Sequence, residues 1–433
     1  MEELHKRGHE LRVQGKYKEA IVIFKNAWTK DNKNKWLGWE YAYSLKKIGN
    51  VKKAISICKH TYSLDKSFTI NNDLMAWCVY EQYFREKNKS YTPHEIEKLE
   101  KITQAIISLI KQKVGSAYEY IIFALVTIYK KQGDKRSYEK TIEWLDKLNV
   151  DLLTNDTLSY VNDKMKGKIL ELSSRKEDYY ATRTKSLLRL NRYEECIECC
   201  VRAENEIKVY HYDNDIWIKE REFYSLGRIG DYEKAILGLK NLVLKKEHWS
   251  FFFKIAELYE ISGQQKSAMH YAYKALLTRD PDKMKINVIY FVAKKLAELD
   301  ELELADMHYS YYKKIREENE WSIPAEVRDH ISILGNTDDK ISHAKMQKFW
   351  LKAIKDGENA YNGRINKIMP NKRNGFIQFG NRSIFFKTNN VFGCKWVKEK
   401  ADVSFIIEES YDFSKNRKTQ EAKYIEIICN LTK

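Results

Sequence analysis

A short motif that recurs along the chain is the feature that most constrains its fold. GKYKEA at 15–20 returns as GNVKKA at 49–54, which places Ala20 and Ala54 34 residues apart. Further copies follow at NRYEEC (191–196), GDYEKA (230–235), GQQKSA (263–268) and DELELA (300–305). Each copy follows one amphipathic helical pattern and opens another. A repeat of this length predicts stacked helical hairpins that share one continuous core.

Small residues recur where the two helices of a hairpin would touch, as at Gly8, Ala20 and Ala27 of the first repeat. Antiparallel helices pack closely only where a side chain is small, and large residues such as Leu11 and Phe24 fill the spaces between those points. A glycine at the start of the motif allows a backbone angle that other residues resist. The spacing therefore predicts close helix pairs joined by short turns.

This pattern resembles the tetratricopeptide repeat family, whose units are 34-residue helix–turn–helix hairpins. The resemblance is clearest at 1–68 and 175–316. It is weaker at 69–174, where the spacing departs from 34 residues although the sequence still favours helices. The resemblance implies a helical superhelix whose groove binds a protein or peptide partner.

One sub-family of these repeats clamps a C-terminal carboxylate with Lys and Asn on its inner helices. The matching positions in the first two repeats here are His5, His9 and Glu40, which is a different pattern. The sequence HKRGH also lacks the glutamate of an HExxH zinc motif. We therefore interpret this segment as an ordinary helix face.

Composition sets the broad class of the protein. A length of 433 residues predicts two or more cooperative units. Four prolines suit a mainly helical chain, because interior proline breaks helices. The sequence contains neither a long apolar run nor an apolar leader in MEELHKRGHELRVQGK, so we expect a cytoplasmic protein that does not enter a membrane. Seven cysteines, mostly within helical patterns, fit reduced thiols.

The segment CIECC at 196–200 contains a C-x-x-C spacing but has no second cysteine pair. Cys196 and Cys200 fall at small-residue packing positions, and zinc needs about four ligands. We interpret these cysteines as small hydrophobic residues. The sequence has no P-loop, no GxSxG and no GxGxxG. We therefore expect no metal site, no cofactor, no catalytic residue and no enzymatic activity.

The sequence pattern changes after residue 341. ISHAKMQKFWLKAIKD predicts a helix, and five strand-like runs follow it: NGRINKIMPNK, NGFIQF, SIFFKT, ADVSFIIEES and AKYIEIIC. Five short strands with polar turns predict a small closed barrel. The predicted fold is mainly α, with a tetratricopeptide-repeat-like solenoid at 1–320 (irregular at 69–174), a helical connector at 321–359 and a five-stranded barrel at 360–433.

The order of these runs resembles the cold-shock domain, an oligonucleotide-binding (OB) barrel. GRINKIMPNKRNGFI lies where that family has its first strand and glycine–aromatic motif, and SIFFKTNNV lies at its second ribonucleoprotein-like motif. ADVSFIIEES and KYIEII resemble its fourth and fifth strands. The resemblance covers about 360–430 and implies binding of single-stranded RNA or DNA.

The resemblance also assigns candidate binding residues, since Phe376 and Phe385 match two of the family's stacking rings. Strand alternation points these two rings outward while Ile377, Ile384 and Phe386 point into the barrel. An exposed ring stacks on a base for about 1–3 kcal/mol. Basic side chains around the rings follow the phosphates.

Polar residues replace several of the family's other rings. The first-strand aromatic falls at Lys367, the first ring of the glycine motif at Asn374, and a His–Phe pair at Lys387 and Thr388. Binding would therefore depend mainly on charge. The candidate binding residues are Phe376, Phe385, Asn374, Arg364, Lys367, Lys372, Arg373, Arg382 and Lys387.

Positive charge is concentrated in the predicted barrel. Residues 360–433 hold 14 Lys+Arg and 7 Asp+Glu, and so supply +7 of the net +16 of the chain. A basic surface favours polyanionic partners. In an alternative interpretation, Phe376 and Phe385 belong to the core of a barrel that binds only protein.

The sequence thus favours a non-enzymatic adaptor. Its repeats would hold a protein or peptide partner, and its barrel would hold single-stranded RNA or DNA. An alternative is a peptide-responsive regulator whose barrel is a protein-interaction module. A third hypothesis, an enzyme with a site in 69–174, has no residue pattern that names a reaction.

Overall fold

A computed structural model describes residues 2–86, 89–162, 168–334, 341–394, 396–412 and 415–428. The chain divides into two compact units, residues 1–218 and residues 219–433. None of the helices in these ranges is long and apolar enough to cross a membrane.

The first unit is built mainly of helices. Its described residues contain α1 (Glu2–Val13), α2 (Tyr17–Lys30), α3 (Lys35–Lys47), α4 (Val51–Leu64), α5 (Thr69–Tyr83), α6 (Pro93–Ile107), α7 (Ala117–Gln132), α8 (Lys135–Leu145), α9 (Arg175–Arg189) and α10 (Tyr193–Glu206). A hairpin of β1 (Leu158–Asn162) and β2 (Lys168–Leu172) lies between α8 and α9.

The second unit combines helices with a barrel, and the unit boundary falls within α11 (Asn214–Arg228). The remaining helices are α12 (Tyr232–Lys245), α13 (Trp249–Ile261), α14 (Gln265–Leu276), α15 (Ile286–Glu298), α16 (Leu302–Glu318), α17 (Ala325–Leu334) and α18 (His343–Gly357). The strands are β3 (Tyr361–Ile368), β4 (Asn374–Phe379), β5 (Arg382–Lys387), β6 (Val391–Phe392), β7 (Asp402–Asp412) and β8 (Arg417–Ile427).

The first residue of every motif copy adopts a left-handed backbone conformation. These residues have φ between 58° and 108°: Gly15, Gly49, Asn191, Gly230, Gly263 and Asp300. The turn between the helices of a hairpin requires this angle, which glycine adopts without strain and which Asn and Asp tolerate. The recurrent G, N or D of the sequence therefore marks the end of the first helix in each hairpin.

The last residue of every motif copy is fully buried. The six are Ala20, Ala54, Cys196, Ala235, Ala268 and Ala305, each 0% exposed. A small side chain at this position lets the two helices approach each other closely. Glycines one helix earlier serve the same purpose, because a Cβ on Gly8 would lie 2.5 Å from the Phe24 ring.

The irregular stretch at 69–174 contains the expected helices α5, α6 and α7. It also contains the β1–β2 hairpin, which the sequence analysis did not predict. The two strands pair antiparallel, with Leu158 opposite Leu172. Short strands of this kind lack the long periodic signal that identifies a helix.

The C-terminal strands form a closed barrel. Around it the order is β5-β4-β3-β7-β8, and a parallel contact between Phe386 and Ala422 joins β8 back to β5. Its core consists of Ile365, Ile377, Ile384, Phe386, Val391, Val403, Phe405, Ala422 and Ile425. Strand β8 begins at Arg417, earlier than predicted, because its first four residues are exposed and carry no hydrophobic pattern.

One side of the barrel packs against the helices of the second unit. Ile406 and Tyr424 belong to the hydrophobic cluster of those helices rather than to the barrel core. Lys423 is 7% exposed, and its Nζ lies 2.7 Å from Glu247 Oε2 beyond α12. Burial alone lowers the pKa of Lys423, but the carboxylates of Glu247 and Glu408 more than offset this and raise it. The helices thus cover the part of β7 and β8 that carries Ile406, Lys423 and Tyr424.

The predicted fold class, a mainly α chain of tetratricopeptide-repeat-like hairpins followed by a five-stranded barrel, is confirmed. The predicted domain boundaries at 320 and 360 stay predictions. The compact units divide the chain at residue 218 and group the barrel with the helices from α12 onward.

We expect Ala54→Trp and Ala268→Trp each to lower the free energy of unfolding by roughly 1–3 kcal/mol or more, since overpacking a close helix contact forces the backbone to shift. Chemical denaturation followed by circular dichroism measures this. Lys53→Trp is the matched control, because Lys53 is the exposed neighbour of Ala54. Unchanged unfolding of both alanine variants would contradict the assigned packing positions.

Glu358 generates a prediction about pH, because it ties the segment before β3 to α14. Its Oε1 lies 2.7 Å from His270 Nε2 and 3.0 Å from Lys274 Nζ. The hydrogen bond from His270 and the charge of Lys274 lower the pKa of Glu358 to about 2, although burial opposes them. A depressed pKa stabilises the fold above the unfolded value of about 4.3, and this stabilisation is lost as the pH falls toward 2.

We therefore expect Glu358→Gln to reduce the free energy of unfolding at about pH 6. The difference from the wild type should shrink as the pH is lowered from about 5 to about 3. Asp356→Asn, on the exposed side of the same segment, should show no such trend. A pH-independent difference for Glu358→Gln would show that its ionisation does not stabilise the fold.

Candidate nucleic-acid interface

The outer face of β3, β4 and β5 brings the predicted rings together with a lysine. Across the three strands Lys367 is paired with Phe376, and Phe376 with Phe385. The two rings meet edge to face, with their centroids 5.9 Å apart. Both are half-buried, whereas Ile377, Ile384 and Phe386 are buried in the core. The structure therefore confirms the inward residues of the prediction and places both candidate rings on the outside.

A bulge in β3 puts Lys367 into this row. The pairing with β4 shifts between Ile365 and Lys367, so that one residue of β3 is left over. Bulges re-aim side chains and are common beside binding sites. The sequence alone did not reveal the bulge, because the pattern of apolar and polar residues in β3 is equally compatible with a regular strand.

Arg364 lies in the next row of the same face but is engaged by a carboxylate. Its Nε and Nη2 donate to the two carboxylate oxygens of Asp402, at 2.7 and 3.2 Å. This bidentate pair is on the barrel surface, where Asp402 offsets the charge of the guanidinium. Arg364 is therefore a weaker candidate for binding phosphate than the sequence indicates.

Lys387 lies at the end of β5 opposite Asn374. Its Nζ is 3.2 Å from Glu421 Oε2, and Glu421 is 2% exposed, while the Lys387 side chain is 51% exposed. The buried carboxylate pairs with the ammonium group of this lysine, while about half of the side chain stays open to solvent. Asn374 supplies a neighbouring amide rather than a ring.

Lys372 and Arg373 occupy the loop between β3 and β4, close to Lys387. The backbone N–H of Thr388 donates to Arg373 O at 2.8 Å, and the Thr388 hydroxyl donates to Lys372 O at 3.1 Å. The loop is thereby fixed against the residue that follows Lys387. Arg382 lies at the other end of the face, beside the Gly380–Asn381 turn.

Four of the six predicted cations form no ion pair with a described residue. Within the described part of the chain, no ion pair involves Lys367, Lys372, Arg373 or Arg382. All four are exposed. The open charge on this face is therefore concentrated on the β3–β4 loop, the bulge and the β4–β5 turn.

Trp396 is a candidate that the sequence analysis missed. Its side chain is 73% exposed, in the loop between β6 and β7. That loop is anchored beside β3: Glu399 Oε1 accepts a hydrogen bond from Ile368 N at 2.8 Å, and Lys400 N donates to Ile365 O at 2.7 Å. Three residues span at most about 10 Å, so Trp396 lies close to the Lys367 end of the face. The signal in the sequence was a tryptophan within the basic segment KWVKEK.

The first repeats carry a second candidate surface, on α1 and α3. Glu40 is 5% exposed, and its carboxylate accepts from His9 Nδ1 at 2.6 Å and lies 3.2 Å from His5 Nε2. The positions that match the carboxylate clamp are thus occupied by a carboxylate of the chain itself. A C-terminal carboxylate from a partner would meet repulsion here.

Beside this cluster, a cation lies over aromatic rings. The Arg12 guanidinium is 5.4 Å from the Trp39 ring and 5.5 Å from the Tyr43 ring. Trp36, one helical turn from Trp39, is 48% exposed. These residues form an amphipathic patch of the kind that anchors protein partners.

Cys196, Cys199 and Cys200 lie on α10 and are buried at or below 7% exposure. Cys196 Sγ donates to Thr184 O on α9 at 3.4 Å, as expected of a thiol at a helix contact. In the described ranges, no group of three or more His, Cys, Asp and Glu side chains is arranged to hold a metal ion.

Comparisons with known proteins find limited similarity. A family model described as a domain of unknown function (DUF7017) matches residues 216–351, which is less than half of the chain. No curated protein matches the sequence. Among solved structures, the chain is similar to YrrB, a TPR protein with an unusual peptide-binding site, at 11% identity and a TM-score of 0.21, over 58% of this chain and 90% of that one.

The chain is also similar to human IFIT1, solved as a dimer with PPP-AAAA. The identity is 14% and the TM-score 0.35, over 80% of this chain and 77% of that one. Both TM-scores are below 0.5, so neither structure supports a function for this chain.

Proposed function

We propose that the chain is a non-enzymatic adaptor whose barrel binds single-stranded RNA or DNA on the face of β3, β4 and β5. The observation that supports this most is the row of Lys367, Phe376 and Phe385, with two rings and an unpaired cation on adjacent strands. Single strands bind to such faces because each base offers a flat surface to an aromatic ring and each phosphate attracts a cation.

The topology of the barrel supports the same proposal. Strands β3, β4 and β5 are consecutive hairpins, and β7 returns to pair with β3, which gives a Greek-key order. A five-stranded Greek-key barrel is the architecture of OB folds, which bind oligonucleotides on the face of their second and third strands. Those strands are β4 and β5 here, and they carry Phe376 and Phe385.

The open face and the covered face lie on different sides of the barrel. Strands β7 and β8 present Ile406, Lys423 and Tyr424 to the helices of the second unit. The outward residues of β3, β4 and β5 contact solvent instead. In this proposal Trp396 supplies a third ring beside Lys367, and the open cations supply most of the affinity.

Binding of a labelled single-stranded oligomer to the full chain, titrated over a range of salt, tests this proposal. Lys367→Ala should flatten the slope of log K against log salt by about 0.7, the value for one phosphate on a single strand. Joint removal of Arg364 and Asp402 should leave the slope nearly unchanged, because this charge-neutral pair is engaged with itself.

Phe385→Ala should weaken binding by about 1–3 kcal/mol with little change in slope. Phe385→Leu should weaken it similarly, since leucine keeps the apolar contact with Phe376 but offers no flat ring. Ser383→Ala, on the same outer face of β5, is the control that should bind like the wild type. Absence of salt-dependent binding to any RNA or DNA oligomer would show instead that the barrel is a protein-interaction module.

We further propose that the helical repeats hold a protein or peptide partner through the patch of Arg12, Trp36, Trp39 and Tyr43. Trp36 is exposed and Trp39 and Tyr43 are half-buried. Tryptophan, tyrosine and arginine are the residue types that dominate protein-binding hot spots. The internal Glu40 carboxylate, which also lies 3.4 Å from Arg12 Nη2, directs this patch toward apolar side chains rather than carboxylates.

A photo-crosslinking residue in place of Trp36 should yield a discrete adduct with a partner in cells. The same residue in place of Lys52, which is exposed on α4, should not yield that adduct. Identical adduct patterns at the two positions would contradict the proposed patch. Trp36→Ala should also reduce recovery of the partner identified at that position.

A further inference from the structure

A cleft lies where the end of β5 meets the turn that follows α14. It measures about 490 Å³, within the roughly 300–1,000 Å³ of typical ligand sites. The helical wall contains Arg279, and the barrel wall contains Lys387, Asn389 and Phe392. Both walls belong to the second unit of the chain. Lys387 therefore faces both this cleft and the barrel face described above.

Arg279 is anchored at the junction by hydrogen bonds but retains further N–H donors. Its Nε and Nη2 donate to Asn389 O, at 3.1 and 2.8 Å. A guanidinium has five N–H donors in a rigid fork, so three are left after this bond. Arg279 is exposed and forms no ion pair with any residue in the described ranges. An oriented, unpaired guanidinium of this kind suits a phosphate.

The acidic groups of the cleft are partly neutralised. Glu247 and Asp280 line it together with the cations Arg279, Lys387 and Lys423. Glu247 Oε2 lies 2.7 Å from Lys423 Nζ, so the charges of these two residues neutralise each other. Lys387 Nζ is likewise engaged by the buried Glu421, at 3.2 Å. Among the described residues that line the cleft, Arg279 is therefore the cation without an ion pair, and Asp280 is the carboxylate that opposes an anion. An anion at the mouth of the cleft would therefore bind to the N–H groups that Arg279 keeps after its bond to Asn389.

Arg279 also continues a line of cations that begins on the barrel. The β3–β4 loop, with Lys372 and Arg373, is bonded to Thr388. Lys387 precedes Thr388, and Asn389 follows it and accepts from Arg279. Residues 387–389 span about 10 Å. Lys387 belongs to this short segment, and Lys372, Arg373 and Arg279 are bonded to it.

We propose that a single strand bound on the β3–β5 face continues along this line, and that Arg279 binds one of its phosphates at the mouth of the cleft. This inference depends on the proposed function of the barrel. It assigns to the helical repeats a direct part in nucleic-acid binding, because Arg279 comes from the turn after α14. A guanidinium donates two parallel hydrogen bonds to a phosphate, which an ammonium group cannot reproduce.

Fluorescence anisotropy of the full chain with labelled oligouridine and oligothymidine, across a salt series, tests the proposal. Arg279→Ala should flatten the salt slope by about 0.7 with a long oligomer of about 12 nucleotides. Arg279→Lys should restore most of the slope but not the full affinity. Arg328→Ala, an exposed arginine on α17, is the matched control and should behave like the wild type.

Oligomer length separates binding from a structural role of Arg279 in tethering Asn389. A short oligomer of about four nucleotides, near the lower limit for an OB fold, should cover the rings and not reach Arg279. Arg279→Ala should then leave the affinity for the short oligomer unchanged. Equal weakening of both oligomers would assign Arg279 a structural role and overturn the proposal.

The remaining outcomes are also decisive. If the wild type binds and Arg279→Ala keeps both its affinity and its slope with the long oligomer, this inference is wrong and the function of the barrel stands. If the wild type binds neither oligomer at low salt, the proposed function and this inference both fail.

Discussion

The position of the candidate site depends on how Lys423 is buried. Its ammonium group lies between Glu247 from the helices and Glu408 and Glu421 from the barrel, at 2.7, 3.8 and 3.5 Å. Loss of these partners would leave a buried, uncompensated cation and strongly destabilise the fold, so the network favours the observed orientation of the barrel on the helices. Such a network contributes little net stability, and we infer that it chiefly fixes geometry.

This fixed orientation determines which side of the barrel stays open. Tyr424 and Ile406 pack into the helical cluster, which covers this part of β7 and β8. Lys274 reinforces the contact, since its Nζ lies 2.5 Å from Glu408 Oε1. The strands with the rings and the open cations are left uncovered, and the turn with Arg279 is brought to the end of β5. One docking contact thus creates both the open face and the adjoining cleft.

The candidate face contains few rings, and its charges are not equally open to a partner. Phe376 and Phe385 supply its rings on β4 and β5, and Lys367 and Asn374 supply polar side chains beside them. Asp402 and Glu421 engage Arg364 and Lys387, so the formal charge of the barrel overstates what a polyanion would meet. Under the proposed function, a face with few rings and several open cations would bind strands of varied sequence, because phosphates carry no sequence information.

The sequence by itself determined the repeat and the barrel. The recurrent motif fixed the left-handed turns at residues such as Gly15 and Asp300 and the buried contacts at Ala54 and Ala268. Alternation along NGFIQF and SIFFK identified the inward residues of β4 and β5, because a strand alternates its sides with a period of two. These features are local, so the chain order of residue types was sufficient to predict them.

Only the tertiary structure decided which charges are open and what adjoins the face. Arg364 meets Asp402 across 38 residues and Arg279 meets Asn389 across 110, and no periodicity links such positions. The exposure of Trp396 and the bulge before Lys367 depend on how a loop and a strand pack in three dimensions. The β1–β2 hairpin was missed for a related reason, since two short strands are stabilised by each other and not by a local pattern. The pattern of residue types along the chain thus specified the helices and strands, while contacts between residues distant in sequence specified the candidate site.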